Sequence, residues 1–120
     1  MIEPYLVGFG GVIGAYLRYM VTQFVDDSRF PMGTFSVNVI GSFVLGFITF
    51  LGVDNSTMLL VGVGICGSFT TYSSFSVATI QLWEDGKYRT AVVYAAGNLF
   101  GAISAIWVAW LLVSGTGAVS

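Results

Sequence analysis

Histidine is absent from this chain of 120 residues, and cysteine occurs once, at Cys66. The lack of histidine removes the most common proton relay and metal ligand, and a single cysteine excludes an intrachain disulfide and a thiolate zinc site. Four lysines and arginines stand against six acidic residues, so a basic surface for nucleic acid is also missing. These absences argue against an enzyme, a zinc protein and a nucleic-acid-binding protein.

Charged side chains are scarce as well, at 8% of residues, whereas hydrophobic residues make up 56%. A soluble domain carries roughly 25% charged residues, and a helix needs about 20 apolar residues to cross a bilayer. Charges and turn formers separate four long apolar runs, which cover residues 4–25, 34–53, 57–83 and 90–113. The sequence therefore predicts a single transmembrane domain over residues 1–120, with four spanning helices in the cell membrane.

Glycines recur four residues apart in two of these runs, as Gly10 with Gly14 and as Gly97 with Gly101. This spacing puts both glycines on one helix face and lets neighbouring backbones approach closely. In a chain with 16 glycines, such pairs indicate helix packing more often than a specific dimer surface.

The third run is longer than one crossing needs, and its middle, residues 62–76, reads GVGICGSFTTYSSFS. Three glycines and a series of hydroxyls weaken a helix there. The helix could break inside protein or beside a watery cavity, and breaks of this kind often form ion sites. Alternatively, it could stay continuous, with its hydroxyls bonded to carbonyls one turn earlier. The residues alone leave both readings open.

The polar residues inside the runs are almost all neutral. No carboxylate lies in any run, although a proton- or cation-coupled carrier usually needs one, or a histidine, that changes charge. Apart from the cation Arg18, the runs hold mostly hydrogen-bond donors: Asn38, Thr70, Thr71, Tyr72, Ser73, Ser74, Tyr94 and Asn98. These groups could pair with one another between helices, or they could replace the hydration shell of a small anion.

Three segments carry recognisable motifs: GGVIGAYLRY at residues 10–19, GTFSVNVIGSF at 33–43 and GSFTTYSSF at 67–75. In this order and spacing they resemble the helix signatures of the CrcB/Fluc fluoride channels. The resemblance covers nearly the whole chain. It implies a fluoride-specific channel that exports fluoride passively across the cell membrane and so lowers its toxicity in the cytoplasm.

The resemblance also implies an architecture. Family members are antiparallel, dual-topology dimers, so the expected fold is an all-α integral membrane protein with four transmembrane helices, the third broken mid-membrane. A structural Na⁺ that is not transported lies at the dimer centre, held by backbone carbonyls that match Gly67 and Thr70 here. The implied partners are fluoride, the lipid bilayer and a second antiparallel subunit, either the same chain or a homologue.

Pore roles follow from the same resemblance. Aromatic ring edges, amides and hydroxyls contact fluoride at positions that match Asn38, Tyr72, Ser73, Ser74, Phe75, Tyr94 and Asn98. Arg18 matches an arginine near a vestibule, where a cation attracts anions. Two positions depart from the family pattern, because Tyr72 stands where phenylalanine is usual and Asn98 where serine is usual.

Two alternatives differ from a self-sufficient fluoride channel. A small four-helix drug/proton antiporter has this length, but it needs a carboxylate deep in the first helix, where the sequence has Arg18. The other alternative is a non-conducting subunit of a heterodimeric channel. Arg29, Lys87 and Arg89 fall on one side of the predicted membrane, so the positive-inside rule predicts both termini outside and an oppositely oriented homologue as partner.

Overall fold

The computed structural model describes residues 3–24 and 31–115, and the regular elements in these ranges are helices. In chain order they are α1 (Glu3–Phe24), α2 (Met32–Leu51), α3 (residues 55–69), α4 (Tyr72–Glu84) and α5 (Tyr88–Gly115). Within α3, a π-helical stretch (Met58–Cys66) joins two short α-helical turns, Asn55–Thr57 and Gly67–Phe69. Because α3 and α4 share the third apolar run, the helices begin and end close to the four predicted runs.

Glycine ends two of the helices. Gly52 follows α2 with φ of 70°, and its N–H donates to the carbonyl of Thr49. Gly86, in the turn between α4 and α5, has φ of 79°. Both values lie in the left-handed region, which only glycine enters at little cost. Two tight reversals between apolar helices therefore depend on glycine.

α1 packs closely on α3 through glycines. A Cβ added to Gly10 would lie 2.2 Å from the carbonyl oxygen of Leu60, and one added to Gly14 would lie 2.2 Å from that of Ile65. On the other side, a Cβ on Gly64 would meet the Gly10 Cα at 2.9 Å. The glycine pair of the first run thus serves helix packing within the chain.

α2 packs on α5, and the best-buried side chains lie there. Val37 and Tyr94 are 0% exposed, and Ala109 is also fully buried. Gly101 fits against α2, because a Cβ there would lie 3.0 Å from Val39 Cγ2. This packing fixes the position of α5 relative to α2, and polar residues of both helices meet there.

Three segments are long and apolar enough to cross a membrane: Met32–Leu51, Asn55–Glu84 and Tyr88–Gly115. α1 has 22 residues but is not among them, because Arg18 and its glycines and tyrosines lower its mean hydropathy. Large apolar side chains stay exposed on the outside of the bundle, such as Phe9 and Trp107. The first of the four spans therefore stays a prediction.

Candidate functional site

The centre of the site is a two-residue interruption between α3 and α4. Thr70 has φ −78° and ψ 158°, and Thr71 has φ −148° and ψ 120°, both in the extended region. α3 ends at Phe69, and α4 begins at Tyr72. β-branched threonine suits extended backbone better than helix. We call Thr70 and Thr71 the extended segment.

Each threonine hydroxyl serves a different helix. The Thr70 hydroxyl donates to the carbonyl of Cys66 at 2.9 Å, one turn back in α3. The Thr71 hydroxyl accepts from the N–H of Ser74 at 3.0 Å and so caps the start of α4. An N-cap of this type satisfies a backbone donor that would otherwise lack a helical partner. The extended segment therefore closes one helix and opens the next.

Asn38 on α2 holds the extended segment by pairing with its backbone. The Thr71 N–H donates to Asn38 Oδ1 at 2.8 Å, and Asn38 Nδ2 donates to the Thr71 carbonyl at 3.3 Å. Asn38 Nδ2 also donates to Asn98 Oδ1 at 3.0 Å. On α5, Asn98 Nδ2 donates to the carbonyl of Tyr94 at 2.9 Å. We call this connected set of bonds the amide link.

The same bonds leave two carbonyls without their helical donors. In a continuous helix, Gly67 would accept from the N–H of Thr71, and Thr70 would accept from that of Ser74. Here both N–H groups donate to side-chain oxygens instead. Gly67 and Thr70 are the two residues whose carbonyls the family resemblance implies as cation ligands. Two neutral oxygens with spare lone pairs in one turn suit a hard cation.

A groove of about 400 Å³ opens beside the extended segment. Its polar lining comes from α2, the extended segment, α4 and α5, namely Asn38, Ser42, Thr70, Thr71, Tyr72 and Asn98. Gly67 and Phe75 also line it, and no Asp, Glu, Lys or Arg of the described residues does. The groove therefore offers hydrogen-bond donors and ring edges without a fixed charge that would trap an anion.

Three aromatic rings form a series along α4 and α5. The Tyr72 ring lies 6.1 Å from that of Phe75, and the Phe75 ring lies 5.5 Å from that of Tyr94, measured between centroids. Tyr72 is 82% exposed at one end, whereas Tyr94 is 0% exposed at the other. Ring edges carry the positive part of the aromatic quadrupole. Tyr72 and Phe75 line the groove, while Tyr94 lies behind Phe75.

A second, smaller cavity of about 290 Å³ contains Arg18. Thr34, Thr71 and Ser74 are among its lining residues, so the cavity has a cation and several hydroxyls in its lining. Thr71 lines both cavities and lies at their junction. A cation raises the concentration of anions near it, and the vestibule role of Arg18 stays a prediction.

The structure brings most predicted site residues together, but not all. Gly67, Thr70, Asn38, Tyr72, Phe75 and Asn98 line the groove, and Arg18 and Ser74 line the second cavity. Ser73 is exposed and is not among the lining residues of either cavity. Sequence reasoning listed Thr71 only among the donors of the apolar runs and gave it no role of its own in the site, although a threonine three residues before the Ser74 N–H is a typical N-cap signal.

Comparison with known proteins identifies the family. The family model described as "CrcB-like protein, Camphor Resistance (CrcB)" matches residues 5–110. A Haloarcula marismortui protein named fluoride-specific ion channel FluC 2 is 50% identical over 111 residues, which cover 92% of this chain and 93% of the relative. The chain belongs to the CrcB/FluC family. The fluoride-specific ion channel FluC 1 of Halobacterium salinarum is 48% identical, over 91% of this chain and 92% of the relative. The fluoride-specific ion channel FluC 1 of Geobacillus kaustophilus is 37% identical, over 92% of this chain and 95% of the relative.

Membership in the CrcB/FluC family confirms the resemblance drawn from the three motifs. The matched residues 5–110 include the amide link, the extended segment and both cavities. The chain is thus a multi-pass membrane protein of an ion-channel family and not an enzyme.

Proposed function

We propose that this chain is a subunit of a fluoride-specific channel that lets fluoride leave the cell passively. The observation that carries the proposal is the uncharged groove, in which amides, hydroxyls and ring edges meet beside the extended segment. The chain aligns over nearly the full length of relatives that are named fluoride-specific ion channel. An anion conducts only if its sites bind well enough for entry and weakly enough for release, and neutral donors supply that balance.

Within the groove, fluoride exchanges water for protein groups. Phe75, Tyr72 and Asn98 all line the groove, and we assign the ring edges of the first two and the spare amide hydrogen of Asn98 as the groups that contact the anion. We assign the remaining predicted pore residues as follows: Tyr94 supports the Phe75 ring from behind, and Ser74 shares the second cavity with Arg18. Ser73, which is exposed, is assigned to the surface that a second subunit covers.

The interruption lies near the middle of the third span. The candidate span Asn55–Glu84 has 30 residues, and Thr70 and Thr71 divide it into two nearly equal helices. We assign the extended segment to mid-membrane depth for this reason. Exposed backbone at that depth is tolerated only where protein or water covers it, so the proposal requires that water or a second subunit fills the groove.

A structural Na⁺ fits the carbonyls of Gly67 and Thr70. Both oxygens have lost their helical donors, and hard cations prefer neutral oxygen ligands of this kind. Two carbonyls from one subunit are too few for a sodium ion, so the same pair from a second subunit completes the set. When bound, the ion supplies a fixed positive charge beside the anion path.

The surface around the groove supports an antiparallel dimer. A Cβ added to Gly67 would meet nothing within 4 Å, although other glycines of α3 are packed against neighbouring helices. Tyr72, a large ring, is 82% exposed at the same place. A close neighbour outside the chain explains both features, and a second antiparallel subunit brings a second copy of the carbonyl pair. Lys87, in the turn after α4, and Arg89, in the first turn of α5, are both exposed, which supports a preferred orientation; Arg29 lies outside the described residues.

Fluoride efflux from liposomes tests this function. We expect the purified chain to release fluoride, and not chloride, down its gradient when valinomycin clamps the voltage. Phe75→Ile should lower the flux by at least about tenfold, the effect of losing a favourable contact of about 1.4 kcal/mol. Phe47→Ile is the matched control, because that ring stacks on Phe43 and does not line the groove.

Each result separates the candidate functions. Efflux driven by a pH gradient would indicate an antiporter, and efflux only with an added homologue would indicate a non-conducting subunit. Normal flux in Phe75→Ile, with the dimer intact by size-exclusion chromatography, would refute the ring-edge role while leaving the channel function in place.

A further inference from the structure

The amide link has only one consistent arrangement of donors and acceptors. The Thr71 N–H needs an acceptor, so Asn38 Oδ1 faces it at 2.8 Å. The Tyr94 carbonyl can only accept, so the nitrogen of the Asn98 amide, Nδ2, faces it at 2.9 Å. The two remaining amide ends then meet as donor and acceptor, with Asn38 Nδ2 3.0 Å from Asn98 Oδ1. Backbone groups at both ends therefore fix the orientation of both side chains.

Counting hydrogens separates the roles of the two asparagines. An amide carries two N–H donors. Asn38 uses both, one on the Thr71 carbonyl and one on Asn98 Oδ1. Asn98 uses one of its two, on the Tyr94 carbonyl. While the link is intact, Asn38 is occupied with holding the extended segment, and the spare amide hydrogen belongs to Asn98.

The link also controls one of the cation ligands. The Thr71 N–H is the natural helical donor for the Gly67 carbonyl, and Asn38 Oδ1 holds it. Asn98 in turn holds Asn38 in place from α5. We propose that Asn98 is a positioning residue for the Na⁺ site: it acts through Asn38 to keep the Thr71 N–H away from the Gly67 carbonyl, which stays free for the cation.

This inference rests on the proposed function, because it assigns a device to the sodium site of the channel. It also gives a physical reason for one departure from the family pattern, the asparagine at position 98 where serine is usual. A serine at position 98 could donate to the same Tyr94 carbonyl. Its oxygen would lie closer to the α5 backbone than the amide oxygen does, so it would hold Asn38 less firmly.

Sodium-dependent thermal stability tests the proposal without using transport. The purified dimer in detergent is titrated with NaCl, with choline replacing sodium at constant ionic strength, and the melting temperature is recorded. Sodium should stabilise the wild-type protein by mass action. Asn98→Ala should raise the half-effective sodium concentration about fivefold, the change expected from losing one net hydrogen bond. Asn98→Ser should give a smaller shift and serves as the milder variant if Asn98→Ala does not fold.

A matched control separates positioning from simple destabilisation. Thr49→Ala removes a side-chain bond to a carbonyl four residues earlier in α2, on an exposed face. Any change that it makes to the melting temperature should be the same at every sodium concentration, and the sodium midpoint should not move. Asn38→Ala should move the midpoint in the same direction as Asn98→Ala, and the double variant should move it no further than Asn38→Ala alone.

An unchanged midpoint in Asn98→Ala and Asn98→Ser, or additive shifts in the double variant, would overturn the proposal. So would a wild-type melting temperature that does not depend on sodium, and this result would leave fluoride conduction untouched. Conversely, if wild-type vesicles pass no fluoride, the proposed function fails, and the melting experiment still decides the role of Asn98.

Discussion

Thr71→Val isolates the hydroxyl that starts α4. Valine keeps the β-branched shape and the backbone N–H and carbonyl that pair with Asn38. It removes only the oxygen that accepts from the Ser74 N–H at 3.0 Å. Thr71 is 9% exposed, so water has little access to replace the lost acceptor.

The expected cost follows from the cap. Loss of an N-cap oxygen costs about 1 kcal/mol, and up to about 2 kcal/mol where the freed N–H stays unsatisfied. The Ser74 N–H has one natural alternative acceptor, the Thr70 carbonyl one helical turn earlier. Taking that acceptor would recover part of the cost, but it would remove an oxygen from the proposed cation site. Thr71→Val should therefore lower both the stability and the stabilisation by sodium.

Denaturation of the detergent-solubilised protein, with and without sodium, measures both effects. Thr79→Val is the matched control, since its hydroxyl lies in the same helix and donates to the Phe75 carbonyl instead of capping. We expect the control to cost less than about 0.5 kcal/mol, because a helical carbonyl keeps its backbone donor. Equal losses in the two variants, or full sodium stabilisation in Thr71→Val, would refute the reasoning about the cap.

Two further predictions concern other parts of the fold. Gly14→Ala should lower the free energy of unfolding by about 1–3 kcal/mol, because its Cβ would lie 2.2 Å from the Ile65 carbonyl oxygen. Gly11→Ala is the control and should leave the free energy of unfolding unchanged, since a Cβ there meets nothing within 4 Å. A similar loss of stability in both variants would contradict the packing argument. Arg18→Gln should slow fluoride efflux several-fold at about 0.01 M salt and much less at about 1 M, where the screening length falls from about 30 Å to 3 Å. A salt-independent effect would mean that Arg18 does not act by attracting anions.

The helices were predictable because their signal is long and simple. Four apolar runs bounded by charges and turn formers leave little choice. The glycine pair at Gly10 and Gly14 indicated close helix packing, and the structure shows that the partner is α3. The π-helical stretch Met58–Cys66 was not predicted. In a π-helix each backbone hydrogen bond spans five residues instead of four, and side-chain periodicity over nine residues does not reveal this difference.

The site was only partly predictable, because its decisive contacts join distant residues. Both readings of the third run hold part of the answer: Thr70 bonds back to Cys66 as in a continuous helix, yet the backbone is extended at Thr70 and Thr71. The residue types there allowed either outcome. The bond between Asn38 and Asn98 spans 60 positions, and nothing local in the sequence pairs them.

The hydroxyls of the adjacent residues Thr70 and Thr71 have opposite hydrogen-bonding roles, one as a donor and one as an acceptor. Their order explains why the extended segment forms here. The Thr70 hydroxyl donates backwards to Cys66, which satisfies the end of α3. The Thr71 hydroxyl accepts from the N–H of Ser74, which gives that donor at the start of α4 a partner. Since Asn38 takes both backbone groups of Thr71, every polar atom of that residue is used within the chain. These bonds divert the N–H groups of Thr71 and Ser74 from the carbonyls of Gly67 and Thr70, which are the two oxygens proposed to hold the cation.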